Sequence, residues 1–246
     1  MTDNWDFYFL NVDDKAASIF VDLGAAPLVP DASLPYMAYV RLKMNSPRAD
    51  GLSSNEEYDT LNAIENLIES QLVGNGTVYV GRCTTNSLRD FFFYVNQPLD
   101  WQNRVAQFMR SFPSYAYDAD TREDAAWSTY FSYLYPSDVN RQSIENRRVC
   151  YTLERNGDKL IEAREIDHWS YFADSDSRNA FVNDAAALGF SVRKLSESVD
   201  DHRHCAHLWR IDVPSLDAID DVTIPLFNLA AKHSGEYDGW ESVVVK

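Results

Sequence analysis

Three cysteines, Cys83, Cys150 and Cys205, are all that the 246 residues contain, and they are scattered and odd in number. That pattern argues against a disulfide framework and fits reduced thiols in a cytosolic protein. No apolar run approaches membrane-spanning length, and the stretch Met1 to Asp6 lacks the basic and apolar regions of a secretory leader. A soluble, cytoplasmic chain is expected. Basic charge is also in deficit, with 22 Lys and Arg against 38 Asp and Glu and a net charge of -16. The deficit is even: 20 acidic and 12 basic residues lie up to residue 150, and 18 and 10 beyond it. With no basic half, direct nucleic-acid binding is disfavoured, because phosphates need clustered Lys and Arg. An acidic surface serves solubility and also suits a basic protein partner. Catalytic signatures are missing too: no nucleophile elbow, Walker loop, dinucleotide glycine pattern or His-Glu-x-x-His occurs. Adjacent acid and histidine, as in Asp167-His168, would point to opposite faces of a strand. No catalytic residue and no cofactor is assigned.

What is present is apolar patterning, with 45% hydrophobic and 13% aromatic residues. That is enough for two compact cores. Trp5 to Asn11 and Ala17 to Leu23 read as an opening hairpin about Asp13-Asp14-Lys15. Tyr36 to Met44 alternates as a strand. From Asn55 to Val73 the spacing becomes helical, with Tyr58, Leu61, Ile64, Leu67, Ile68 and Leu72 on one face. Ser54 and Glu57 are placed as a capping box for that helix, and Gly74 closes it. Strands are expected over 77–83 and 90–95, a helix after Asp100 with Trp101, Val105, Phe108 and Met109, and a strand near 115–118. The order from Tyr36 is β-α-β-β-α-β.

An aromatic stretch, Trp127 to Tyr135, stops at Pro136, and Ser137-Asp138 opens a polar helix to about Leu153. The same β-α-β-β-α-β order then returns: a strand over 165–172, a helix from Ser175 or Ser177, strands over 190–195 and 205–213, a helix over 217–232 and a strand over 237–245. Pro225 is expected to restrict where the regular turns of that last helix begin. The predicted class is α+β, two ferredoxin-like sandwiches with antiparallel sheets, the first extended by the hairpin. The predicted domains are 1–136, a connecting helix over 137–159, and 160–246.

Four pieces in order carry a family resemblance: Asp167-His168-Trp169-Ser170-Tyr171-Phe172, Ala186-Ala187-Leu188-Gly189-Phe190-Ser191-Val192, Leu208-Trp209-Arg210-Ile211-Asp212, and Gly235-Glu236-Tyr237-Asp238-Gly239-Trp240-Glu241. Together they resemble the RraB-like family, regulator of ribonuclease E activity B. The first ~150 residues resemble a bacterial domain family of unknown function (domain of unknown function 695) that is often fused ahead of such a module. The resemblance implies a small acidic ferredoxin-like module that binds the basic scaffold of ribonuclease E and slows RNA decay by contact, without turnover.

Tyr237, Asp238, Gly239, Trp240 and Glu241 are the candidate protein-binding residues. Their carboxylates could pair with guanidinium groups while Trp240 offers a π face. The alternative for the same residues is packing, with Tyr237 and Trp240 in the core and Gly239 in a bulge. Asp200, Asp201, Asp217, Asp220 and Asp221 either extend that acidic surface or serve as loop and helix-start charges. His202, His204, Cys205 and His207 form the one dense metal-capable cluster. An extended segment would put His202 and His204 on one side and Cys205 and His207 on the other, so no metal is expected. Arg89 to Val95 shares aromatic residue types with the strands of RNA-recognition domains, but Asp90 and the acidic surroundings favour a buried strand. The competing function is an enzyme or small-ligand binder, with its site in the aromatic amino-terminal domain, at Trp127, Tyr130, Tyr133 and Tyr135, or in an inter-domain cleft.

Overall fold

The computed structural model describes residues 2–197 and 203–246. Asp200, Asp201 and His202 lie outside the described residues. The chain divides into two compact units, Met1–Pro136 and Ser137–Lys246. Both mix helices with one antiparallel sheet, of six strands in the first and four in the second.

Unit 1 opens with the hairpin β1 (Trp5–Val12) and β2 (Lys15–Asp22), turned by Asp13 and Asp14 at positive φ. β3 (Tyr36–Lys43), α1 (Tyr58–Leu72), β4 (Thr77–Thr85), β5 (Leu88–Val95), α2 (Trp101–Met109) and β6 (Tyr117–Glu123) follow, and the sheet order is β1-β2-β4-β5-β3-β6. Leu61, Ile64, Ile68 and Leu72 recur on one side of α1 and pack with Trp101, Val105, Phe108 and Met109 of α2 against Tyr79, Phe91 and Phe93. Tyr58, expected on the same stripe, is exposed. The capping box does not form. The helix starts at Tyr58, and the Glu57 carboxylate reaches instead to the backbone N–H groups of Asn45 and Ser46, at 2.7 and 2.9 Å. A tertiary loop with two unpaired donors outcompetes the local cap, and the Ser54 hydroxyl is left buried without a partner among the described residues.

β5 is buried on both faces, as its run Asp90-Phe91-Phe92-Phe93-Tyr94-Val95 suggests. The face away from the helices is covered by the segment over 127–135. The Trp127 indole lies flat on the Tyr94 ring with centroids 3.7 Å apart. The Tyr130 hydroxyl donates to the Asp22 carbonyl at 2.6 Å, and the Tyr8 hydroxyl to the Leu134 carbonyl at 3.0 Å. Asp124 anchors the segment by accepting from the N–H groups of Ser128 and Thr129 and from the Tyr94 hydroxyl. Burial pushes the Asp124 carboxyl up, yet these donors hold it down, at about 2. The aromatics that suggested a ligand site in this unit are therefore its second layer of packing.

Unit 2 begins with α3 (Asp138–Arg155), the helix expected as a connector. The Ser137 hydroxyl caps it by accepting from the Asn140 N–H, and Asp138 and Arg155 stand at the ends that favour their charges. β7 (Arg164–Phe172), α4 (Ser175–Ala187), β8 (Ser191–Glu197), β9 (His204–Asp212), α5 (Ile219–Lys232) and β10 (Gly235–Ser242) complete it. The cap of α4 is Asp174, which accepts from both the N–H and the hydroxyl of Ser177. Pro225 sits inside α5, which starts well before it at Ile219; Pro225 has no N–H to give to the Asp221 carbonyl. The sheet order β10-β7-β9-β8 places the first and third strands of the unit at its centre, and β3 to β6 of unit 1 take the same lateral order. Cys150, Leu153, Ile166, Phe172, Phe181, Leu208, Leu226, Tyr237 and Trp240 belong to its core.

Candidate functional site

β7 alternates strictly. Ile166, His168, Ser170 and Phe172 point to the helices, and Glu165, Asp167, Trp169 and Tyr171 to the other face. Among the described residues β10 is an edge strand paired with β7 alone. Its register shifts between Tyr237 and Gly239, so Asp238 is an extra residue in the ladder. The bulge lets both Tyr237 and Trp240, three apart, turn to the core, opposite Ser170 and His168. Gly239 carries the irregular backbone at φ +132, which a side chain would strain. Gly235 is required for a different reason: a Cβ there would lie 2.2 Å from the Phe172 ring.

Both core aromatics are tied by their polar ends. The Tyr237 hydroxyl and His168 Nδ1 lie 2.8 Å apart. His168 is buried with its ring edge against Phe190, and its Nε2 has no partner among the described residues. Burial, and then the nearby Arg210, hold its pKa down at about 3, so the ring is neutral. Trp240 Nε1 donates to Asn146 Oδ1 at 3.0 Å. Asn146 is the hub of the unit. Its Oδ1 also accepts from Gln142 Nε2, while its Nδ2 donates to Asp220 Oδ1 and Thr223 Oγ1, so α3, α5 and β10 meet on one amide. The sequence signal for this residue is the stripe Gln142, Asn146, Cys150 and Leu153 at helical spacing, half polar and half apolar.

Between α3 and β10 lies a groove of about 830 Å³. Asp138, Arg141, Glu145 and Val149 line its helix side, and Glu236 to Glu241 its strand side. Trp169 and Tyr171 of β7 and Phe227 of α5 also border it. The helix face from 138 to 149 and the strand from 236 to 241 are each about 17 Å long, so the walls match. Asp138, Glu145, Glu236, Asp238 and Glu241 contribute carboxylates, and Arg141 is the basic residue of the lining. Arg141 pairs with Asp138, Arg148 with Glu145 at 2.7 Å, and Arg203 with Glu236 at 2.9 Å. Among the described residues Asp238 and Glu241 have no cationic partner.

The candidate residues thus separate by role. Asp238 and Glu241 are exposed at the groove, Tyr237 and Trp240 form its floor, and Gly239 leaves a gap in its strand wall. His207 and Cys205 share the open face of the sheet, but His207 Nε2 is engaged with Asp167 at 2.7 Å.

Residues 3–135, more than half of the chain, match the family model described as "Family of unknown function (DUF695)". The chain belongs to that family. In this DUF695 chain a second stretch, residues 143–242, matches the model described as "Regulator of ribonuclease activity B". The groove falls within that match except for Asp138, Arg141 and Gln142. Among solved structures, one titled "Crystal Structure of an Unknown Protein from Galdieria sulphuraria" is similar at 9% identity with a TM-score of 0.24, covering 85% of this chain and 98% of that one. No curated protein matches. No helix among the described residues is long and apolar enough to cross a membrane.

Proposed function

We propose that unit 2 is a ferredoxin-like protein-binding module that takes a basic segment of a partner into the groove between α3 and β10, and that it regulates by contact without turnover. The reading that follows is a cytoplasmic regulator of ribonuclease E-type RNA decay, with the basic, extended scaffold of such an enzyme as partner. The observation that carries it is the concentration of carboxylates and aromatics along one groove, with Asp238 and Glu241 uncommitted to any cation of the described chain. Carboxylates set in a concave wall focus a negative potential, which draws a cationic peptide and orients it. The match to a ribonuclease regulator over residues 143–242 supports the same direction. In this reading the module begins with α3, because the helix supplies one wall of the groove, and unit 1 stands ahead of it as a domain of its own.

The test is calorimetric titration of the intact chain with an arginine-rich scaffold peptide at low and high salt. Binding at low salt that weakens steeply with added salt is expected, and Asp238→Asn with Glu241→Gln should lower affinity about tenfold, as two charge-assisted contacts are lost. No binding at low salt would overturn the proposal.

A further inference from the structure

The open face of the unit 2 sheet repeats one arrangement. The Arg203 guanidinium lies over the Tyr171 ring at 4.6 Å, with its Nη1 held by Glu236 at 2.9 Å. Arg193 lies over Trp209 at 5.2 Å, with Nε held by Asp167 at 2.5 Å and Nη2 by Glu165 at 2.6 Å. In each case an aromatic face supplies the π contact and a carboxylate on a neighbouring strand supplies the hydrogen bonds.

Trp169 is the third large aromatic of this face, between Tyr171 and Asp167 on β7. It is in register with His207 on one side and Gly239 on the other. Its indole stacks on the His207 ring at 4.4 Å, so its opposite face is turned toward β10. There position 239 has no side chain, and a Cβ built on it would meet nothing within 4 Å among the described residues. The carboxylates of Asp238 and Glu241 border the same space, and Trp169 itself lines the groove. Asp238 is near enough to Tyr171 to help raise that phenol's pKa, after burial and Cys205. A gap the width of one missing side chain, an indole face at its back and carboxylates at its rim match a planar, bidentate cation better than a hydrated ammonium.

We propose that the gap at Gly239 is an arginine seat, in which a guanidinium of the partner lies against Trp169 and hydrogen-bonds Asp238 and Glu241. This rests on the groove reading and adds to it a required side chain and a place for it. The chain's own Arg203 on Tyr171 and Arg193 on Trp209 are the internal templates for the geometry.

The test compares short peptides alternating serine with arginine, with lysine, or with uncharged citrulline, bound to the intact protein and followed by calorimetry. The arginine peptide should bind about tenfold tighter than the lysine peptide, and the citrulline peptide should not bind measurably. Trp169→Leu should erase the preference for arginine while leaving lysine affinity within about twofold, and Trp169→Phe should restore part of it. On the unaltered protein, the Trp169 indole N–H resonance, assigned by its loss in Trp169→Phe, should shift with the arginine peptide and much less with lysine. Trp169→Leu that keeps the arginine preference, or an indole resonance that ignores the arginine peptide, overturns the seat and leaves the groove reading standing. Failure of both cationic peptides to bind overturns both.

Discussion

Replacing His168 should change how the stability of unit 2 depends on pH more than it changes any contact. The ring is buried, its Nδ1 meets the Tyr237 hydroxyl, and Nε2 has no partner among the described residues. Its surroundings are Phe190 and Tyr237, with Arg210 opposing a positive charge, Asp167 favouring one and, less than either, His207 opposing it. The folded ring protonates only near pH 3, whereas in the unfolded chain it does so near the ordinary 6.5. A base held neutral in the fold contributes stability that is fully present above the unfolded value and is lost as the pH falls. Between these two values the unfolded state binds the extra proton, and each pH unit costs about 1.4 kcal/mol. Going from pH 7 to pH 5 should therefore remove about 2 kcal/mol through this residue alone. The assay is urea unfolding of wild type and His168→Gln, read by hydrogen exchange of peptides from β7 and β10 so that unit 2 is followed by itself. Glutamine does not titrate, so subtracting the two curves cancels the carboxylates common to both. The stability advantage of wild type over the variant should shrink by about 2 kcal/mol across that interval. Parallel curves would refute the reasoning, because they would mean that the ring gains its proton without leaving the fold.

Asn146→Leu should cost about 3 kcal/mol or more, because the buried Trp240 N–H and the polar groups of Gln142, Asp220 and Thr223 lose their common partner. Trp240→Phe, which loses one of those bonds, should cost about 1–2 kcal/mol, while Trp240→Ala should cost about 3–5 kcal/mol; thermal melts rank all three. In unit 1, Glu65→Gln should cost about 3–5 kcal/mol in urea unfolding. Glu65 accepts from the Tyr79 hydroxyl and Arg82 Nε and faces Arg89, whose pKa burial and Arg82 hold down at about 10. Asp124 should stabilise the 127–135 segment fully above its ordinary value of 3.8 and lose that effect as the pH falls toward about 2. Asp124→Asn should abolish the dependence and speed amide exchange at Ser128 and Thr129.

The strands and helices are legible in the sequence because their apolar spacing is strict. Leu61, Ile64, Ile68 and Leu72 in α1, and Trp101, Val105, Phe108 and Met109 in α2, are buried as the helical period requires. Strand alternation likewise separates Asp167 from His168, and the two side chains do face opposite sides of β7. Local polar chemistry is less legible. Ser54 and Glu57 have the spacing of a cap, but the backbone of Asn45 and Ser46 claims the carboxylate, and sequence distance hides that competition. Asn146 is inconspicuous in a polar helix because its partners Asp220, Thr223 and Trp240 are far along the chain. The last strand stands out in the sequence, and Gly239 between Asp238 and Trp240 suggests its bulge, but only the register of the pairing decides between packing and binding for its aromatics. Tyr237 and Trp240 pack, and it is the register that brings out the exposed carboxylates between and after them.

Asp238 also bears on how the molecule keeps apart from its own copies. An unpaired strand at a sheet margin invites copies of the same chain to add strand after strand, the route to fibrous aggregates. Here the ladder's rhythm is broken midway along β10, a carboxylate stands at the break, and a glycine follows it. Identical strands cannot dock along such a margin without stacking acid against acid and misaligning their hydrogen bonds. The same irregularity that turns Tyr237 and Trp240 into the core thus closes this border to the protein's own kind.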